Sequence, residues 1–188
     1  MISHWTKTSI KTVYDARIFK LKKATFRRDE GQGKSAFAHP FYFLDSCDWI
    51  NIIPVTPDLK VVLIRQFRAG VNNVVLETPG GMVEAEDRSP VDAARRELLE
   101  ETGYGSDEIE PIGKSFPNPA IQNNAIWFFV ARNARAIAPQ SPEPGEDIEI
   151  EVVDLAHIDG LIDSGRISHA LVLNAFDFLK RKHPEYWE

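Results

Sequence analysis

The stretch Ser89–Gly103 (SPVDAARRELLEETG) limits what this chain can fold into more than any other, because it reads as a helix stopped at both ends. Ser89 stands as N-cap, Pro90 takes the first helical position, Asp92 lies three residues after the cap, and Gly103 follows Thr102. At about 100° per residue, Glu97, Glu100 and Glu101 fall inside one wedge of roughly 100°. Three carboxylates are thus forced together. Like charges at this spacing cost an isolated helix a few tenths of a kcal/mol per pair, so a purely structural face would alternate its signs. Arg96, four residues before Glu100, can neutralise that carboxylate, whereas Glu97 and Glu101 have no partner in sequence. Two readings stand open: a solvated acidic face, or hard oxygen ligands for Mg²⁺ or Mn²⁺, ions that in turn bind substrate phosphates. The Gly80–Gly81 pair after Pro79 ends a strand and lets backbone approach a ligand closely. The helix start at Ser89–Val91 offers N–H groups to anions.

Around this helix the pattern is strand-like. Ile18–Arg28, Ala36–Asp45, Trp49–Thr56 and Lys60–Phe67 precede it, divided by turn-rich pieces at Asp29–Lys34 and Pro57–Asp58. Glu108–Phe116, Ala125–Arg132 and Ile148–Val153 follow as strands, with helices expected at Asp154–Ser164 and Ser168–His183. The last helix shows Leu171, Val172, Ala175, Phe178 and Leu179 at spacings of three and four, one apolar face. The class is α+β, with helices packed on mixed sheets. Ala138–Asp147 reads as a loop. The 188 residues carry 28 acidic and 22 Lys or Arg side chains, a formal charge of −6, which argues against a nucleic-acid coat. No run approaches the roughly 20 apolar residues of a membrane span. The N-terminus has no apolar signal core and Cys47 is the lone cysteine, so a reducing, cytoplasmic location is expected.

Glu77–Tyr104 resembles the signature of the Nudix hydrolases: Gly, five residues, Glu, seven residues, then Arg-Glu-aliphatic-any-Glu-Glu-any-Gly-aliphatic. Gly81, Arg96, Glu97, Leu98, Glu100, Glu101 and Gly103 match, with Tyr104 in the final apolar slot. Between Gly81 and Arg96 the chain has one residue more than the pattern. Asp87 stands where Glu is expected, so Glu86 or Asp87 fills the first acidic position. The helix register is untouched.

The resemblance implies an α/β/α sandwich around a mixed sheet, and metal-dependent hydrolysis of a nucleoside diphosphate linked to a second moiety. It implies Glu97 and Glu101 as principal ligands of Mg²⁺ or Mn²⁺, Glu100 as a ligand or its support, the Gly80 carbonyl completing the shell, and Arg96 orienting the carboxylates. The base that takes the water's proton is a separate carboxylate; the resemblance points to the loop Pro139–Asp147, with Glu146 first and Glu143 second. Arg65-Gln-Phe-Arg68, Leu76–Gly81 and Ser115–Pro119 are similar to the branch that cleaves ADP-ribose and nucleotide sugars. Arg68 is a candidate phosphate clamp by the bidentate geometry of guanidinium, with Arg65 and Pro119 as further substrate contacts. In that branch residues 1–46 would form a small antiparallel β subdomain that pairs two copies into a homodimer, and 47–188 the hydrolase domain. Trp5, Trp49, Phe116 and Trp127 can stack on a base, though Trp127 in its apolar run reads as core. The five histidines show no ligand spacing.

Overall fold

The computed structural model describes residues 4–28 and 36–187; the turn expected at Asp29–Lys34 lies outside the described residues. Two compact units are present. The first joins the chain up to Cys47 with Phe116–Ala125. Its sheet is an antiparallel meander of β1 (Trp5–Asp15), β2 (Lys20–Arg28) and β3 (Phe37–Asp45), with β2 in the middle. Strand β1 precedes the first run singled out in the sequence. Two register shifts along β1 mark bulges, which bend and twist a strand. Trp5, Phe26, Phe37 and Phe41 meet edge to face with centroids 5.5–6.0 Å apart, the geometry that ring quadrupoles favour. Phe116–Ala125 is tied in where the Leu44 amide donates to Ile121 O at 2.7 Å.

The second unit spans Asp48–Ser115 and Ile126–Glu188. In chain order it contains β4 (Trp49–Pro54), β5 (Lys60–Arg68), β6 (Asn73–Glu77), β7 (Gly80–Met82), α1 (Pro90–Thr102), β8 (Tyr104–Gly105) and β9 (Glu108–Ser115). Then come β10 (Ile126–Arg132), β11 (Arg135–Ala136), β12 (Ile148–Asp154), α2 (Ile158–Asp163) and α3 (Ala170–Lys182). The main sheet has the order β7-β4-β10-β9 and is mixed: β10 runs parallel to β4, the other pairs antiparallel. A second antiparallel sheet has the order β12-β5-β6.

The period of two in β4 and β10 explains the layering. Ile50 and Ile52, with Phe129 and Ala131, pack on Ala93, Ala94 and Leu98 of α1. Ile53, Val55, Phe128 and Val130 point the other way, into a cluster with Leu63, Leu76 and α3. A strand with apolar residues on both faces must be covered on both, and helices on the two faces do so. Leu98 is fully buried, and its truncation to Ala would cost about 2–5 kcal/mol. Helix α3 buries Leu171, Val172, Ala175, Phe176 and Leu179. Phe178, assigned to that face from sequence, is only partly buried; its ring lies 5.3 Å from that of Phe128, and Phe176 fills the core position. The expected helix Asp154–Ser164 divides into a 3-10 turn, Leu155–His157, and α2. Among the described residues no helix is long and apolar enough to cross a membrane.

Candidate active site

The apolar contacts of Ala93, Ala94 and Leu98 set the rotation of α1 and turn its acidic wedge toward β7. The glycine pair does not end a strand as expected from sequence: it forms β7, paired with β4 as Ile50↔Gly81 and Asn51↔Gly80. This close approach needs glycine. A Cβ on Gly81 would sit 2.2 Å from Glu97 Oε1, and one on Gly80 would sit 2.3 Å from the Ile50 carbonyl oxygen. The Gly80 N–H donates to Glu101 Oε2 at 2.8 Å.

Arg96 does more than neutralise Glu100. Its Nη1 donates to Glu97 Oε1 at 2.9 Å and to Glu100 Oε2 at 3.1 Å, while Nη2 donates to the Met82 carbonyl and to Asp87 Oδ2, each at 3.0 Å. Glu97 is therefore paired, contrary to the sequence reading. The one-residue-longer loop before the helix closes as a turn in which Glu84 N donates to Asp87 Oδ2 at 2.9 Å, so Asp87 faces Arg96 while Glu86 is exposed. The Arg96 bond holds the Asp87 carboxyl below its usual range. Burial alone would lower the Arg96 pKa, but the bond to Asp87 and the charge of Glu97 raise it.

Burial has the larger effect on the helix acids. It pushes Glu97 from 4.5 up to about 7 against the pull of Arg96, and Glu101, only 2 % exposed, up to about 8 against the Gly80 N–H. The charge of Glu146 adds to both shifts, which puts that loop carboxylate within electrostatic reach of the pair. Glu143 is exposed, and its N–H donates to Glu146 Oε2 at 3.1 Å. The start of α1 is less open to anions than expected: Pro90 has no N–H, and Asp92 and Ala93 donate to Ser89 O at 3.0 and 3.3 Å. Ser89 Oγ meets Asp92 Oδ2 instead of capping the backbone.

The donor set, three carboxylates and backbone carbonyls, is all oxygen and suits a hard divalent cation. Two buried acids have pKa values raised despite the cations near them, Arg96 on Glu97 and the charge of Arg68 on Glu101, and Gly81 leaves space against Glu97 that a Cβ would fill. Among the described residues no three His, Cys, Asp or Glu side chains already form a metal cage. The arrangement fits a cation that keeps water and uses one or two carboxylates beside substrate phosphates.

Arg68 donates to Glu77 Oε2 through Nε at 2.9 Å and Nη2 at 2.6 Å, and His169 Nδ1 lies 2.8 Å from Glu77 Oε1. Burial would raise the Glu77 carboxyl, but the bonds from His169 and Arg68 hold it below its usual range. These three residues, with Arg65 and Arg166, border a cavity of about 650 Å³ between the β5–β6 hairpin and the start of α3. Arg65 also pairs across the strands with Glu149 at 3.1 Å. Pro119 belongs to the first unit, on a groove with Trp5, Phe41 and Phe43. Trp127 packs on the α1 cluster and its indole N–H donates to Asp48 Oδ2 at 3.0 Å. Trp49 packs against the opposite core cluster, and Phe116 and Cys47 are exposed. Glu77 and His169 were not assigned from sequence, since 92 positions separate them; the run Leu76–Gly81 was the nearest hint.

A family model described as the NUDIX domain matches residues 49–176. The chain is 27% identical over 135 residues to a protein of Bacillus subtilis (strain 168) named ADP-ribose pyrophosphatase, covering 71% of this chain and 72% of that one. It is 29% identical over 157 residues to a protein of Yersinia enterocolitica named GDP-mannose pyrophosphatase, covering 79% and 81%. A solved structure described as an ADP compounds hydrolase superposes with a TM-score of 0.82 at 20% identity, over 98% of this chain and 97% of the other, which shows a shared fold.

Proposed function

The chain belongs to the NUDIX domain family, and from that premise we propose that it hydrolyses the pyrophosphate bond of a nucleoside diphosphate linked to a sugar, ADP-ribose or a nucleotide sugar. The products are a nucleoside monophosphate and a sugar phosphate. The observation that carries this reading is the pair Glu97 and Glu101, buried against Gly80 and Gly81 with carboxyls that burial pushes up to about 7 and about 8.

Glu97 and Glu101, with Glu100 and the Gly80 carbonyl beside them, would supply the oxygen donors for Mg²⁺ or Mn²⁺. When bound, such an ion neutralises phosphate oxygens and lowers the pKa of the attacking water. The chain's own residues supply the rest. Arg96 holds Glu97 and Glu100 in one orientation through its shared guanidinium. Glu146 accepts the proton as the water oxygen bonds to phosphorus and the bridging P–O bond breaks, the electron pair leaving with the departing phosphate. Its electrostatic reach to both buried acids favours it over Glu143. Arg68 and Arg65, at the rim of the 650 Å³ cavity, meet the negative diphosphate.

The partly exposed Ile10, Tyr14, Phe37, Phe41 and Tyr42 of the first sheet support a homodimer formed through residues 1–46. The deciding experiment is a substrate panel with Mg²⁺ or Mn²⁺: ADP-ribose, GDP-mannose, a UDP-sugar, a dinucleoside polyphosphate and nucleoside triphosphates, with products separated by ion-exchange chromatography. Turnover of at least one nucleotide sugar is expected. Cleavage of triphosphates alone would overturn the substrate assignment.

A further inference from the structure

The loop bearing Glu146 is fastened to the helix that bears Glu97, Glu100 and Glu101. Helix α1 ends at Thr102, so the carbonyls of its last turn lack helical donors. Gly103 N takes the Leu99 carbonyl at 2.8 Å, and the next two are met from the loop: Ser141 N donates to Glu100 O at 2.8 Å and Gln140 Nε2 to Glu101 O at 2.6 Å. The same amide nitrogen of Gln140 donates to Ile148 O at 3.1 Å, at the first residue of β12. Both partners are carbonyl oxygens, so only the NH₂ end of the side chain serves, and it uses both of its protons. Gly103 permits the approach, since a Cβ there would lie 2.2 Å from Ala138 O, and its carbonyl accepts the amides of Ile137 and Ala138 at 2.9 and 3.1 Å.

We propose that Gln140 is a positioning residue for the hydrolysis: one amide group joins the helix end, the near stem of the loop and its far stem, and so sets where Glu146 stands relative to Glu97 and Glu101. The proposal rests on Glu146 as the proton acceptor. Ser141 contributes only its backbone amide to α1, and Glu146 lies two residues before the far anchor. Misplacing a catalytic group by about 1 Å can cost on the order of 100-fold in rate. A residue that merely capped α1 would lower stability without depending on Glu146.

The test is a double-mutant cycle with Gln140→Met, which keeps the length of the side chain and removes its donors, and Glu146→Gln, assayed with a nucleotide sugar and saturating Mg²⁺. Gln140→Met is expected to lower kcat about 10- to 100-fold with KM within about twofold. Glu146→Gln is expected to lower kcat at least about 100-fold, and adding Gln140→Met to it to cost less than about twofold more. Should Gln140→Met fail to fold, Gln140→Asn, too short to span both carbonyls, takes its place in the same cycle. An unchanged kcat in the Gln140 variant, or the same loss in both backgrounds while Glu146→Gln is itself impaired, would overturn the positioning role alone. A near-wild-type rate for Glu146→Gln would overturn the base assignment, and the positioning role with it.

Discussion

Glu86 and Asp87 are adjacent in sequence and opposite in environment. Asp87 holds Arg96 and receives the Glu84 amide, while Glu86 is exposed. Asp87→Ala should therefore cost about 1–3 kcal/mol, because it strips a charged hydrogen bond from a half-buried guanidinium. It should also lower kcat, since Arg96 then orients Glu97 and Glu100 less firmly. Glu86→Ala should stay within about 0.5 kcal/mol of wild type with unchanged kcat. Chemical denaturation and steady-state rates check both, and a Glu86 variant that loses activity would reverse the assignment. Glu101→Gln should abolish most turnover, yet in EDTA at about pH 8.5 it should melt above the parent, because it removes a buried charge whose desolvation outweighs the Gly80 N–H and the charge of Arg68. The acidic trio was legible in sequence because helical spacing alone brings Glu97, Glu100 and Glu101 together. Asp87 was half legible, as one of two candidates created by the extra residue before the helix. Gln140, Glu77 and His169 were illegible, for their partners lie on elements far away in sequence and only packing joins them.

At the scale of elements, α1 was readable to the residue at its C-terminus. Gly103 adopts φ +70, and its N–H closes on Leu99 O. Two costs meet at that one position: a left-handed backbone, about 1–2 kcal/mol for any L side chain, and the overlap with Ala138 O. Gly103→Ala should lower the unfolding free energy by at least about 2 kcal/mol, measured from denaturant midpoints. Activity should fall with it, since the contact also seats the loop stem at 137–141. A loss below about 0.5 kcal/mol would mean that the loop gives way freely there. The strands missed in sequence were missed for definite reasons. Strand β7 is Gly-Gly-Met, with no β propensity of its own, and exists because β4 presents an edge to it. Strand β6 is five residues long and depends on its register with β5. In β1 ten of eleven residues are exposed, so it lacks the one-sided burial that makes alternation visible. Phe178 does lie on the apolar face of α3, at its margin, partly buried against Phe128, whereas Phe176 joins the fully buried row.

Over the whole molecule the formal charge of −6 conceals a strong segregation. Residues 1–76 carry +6, residues 77–110 carry −8 and residues 111–188 carry −4, so the acidity is concentrated where α1 lies. A cluster of that sign binds cations and resists being buried empty, which links metal, pH and stability. Glu97 and Glu101 have pKa values raised on folding from 4.5 to about 7 and about 8. Between pH 4.5 and those values the folded chain holds more protons than the unfolded one, so stability without metal falls as pH rises and stops falling above about 8. Glu77 acts in the other direction. Its pKa is lowered on folding, so its contribution is complete above 4.5 and is lost as the pH falls through its folded value. The metal-free protein should thus be most stable in mild acid and should melt lower at about pH 8.5 than at about pH 5.5. A divalent cation must displace protons from the buried pair at low pH but meets ionised carboxylates at high pH, so its stabilisation grows with pH, following RT ln(1 + [L]/Kd) as Kd falls. Melting in EDTA and in about 5 mM Mg²⁺ across that range is the measurement. The expected pattern is a Tm gain from Mg²⁺ that is small at about pH 5.5 and several degrees at about pH 8.5. A metal-free Tm that rises steadily with pH, or an Mg²⁺ gain independent of pH, would remove the buried pair from the cation site.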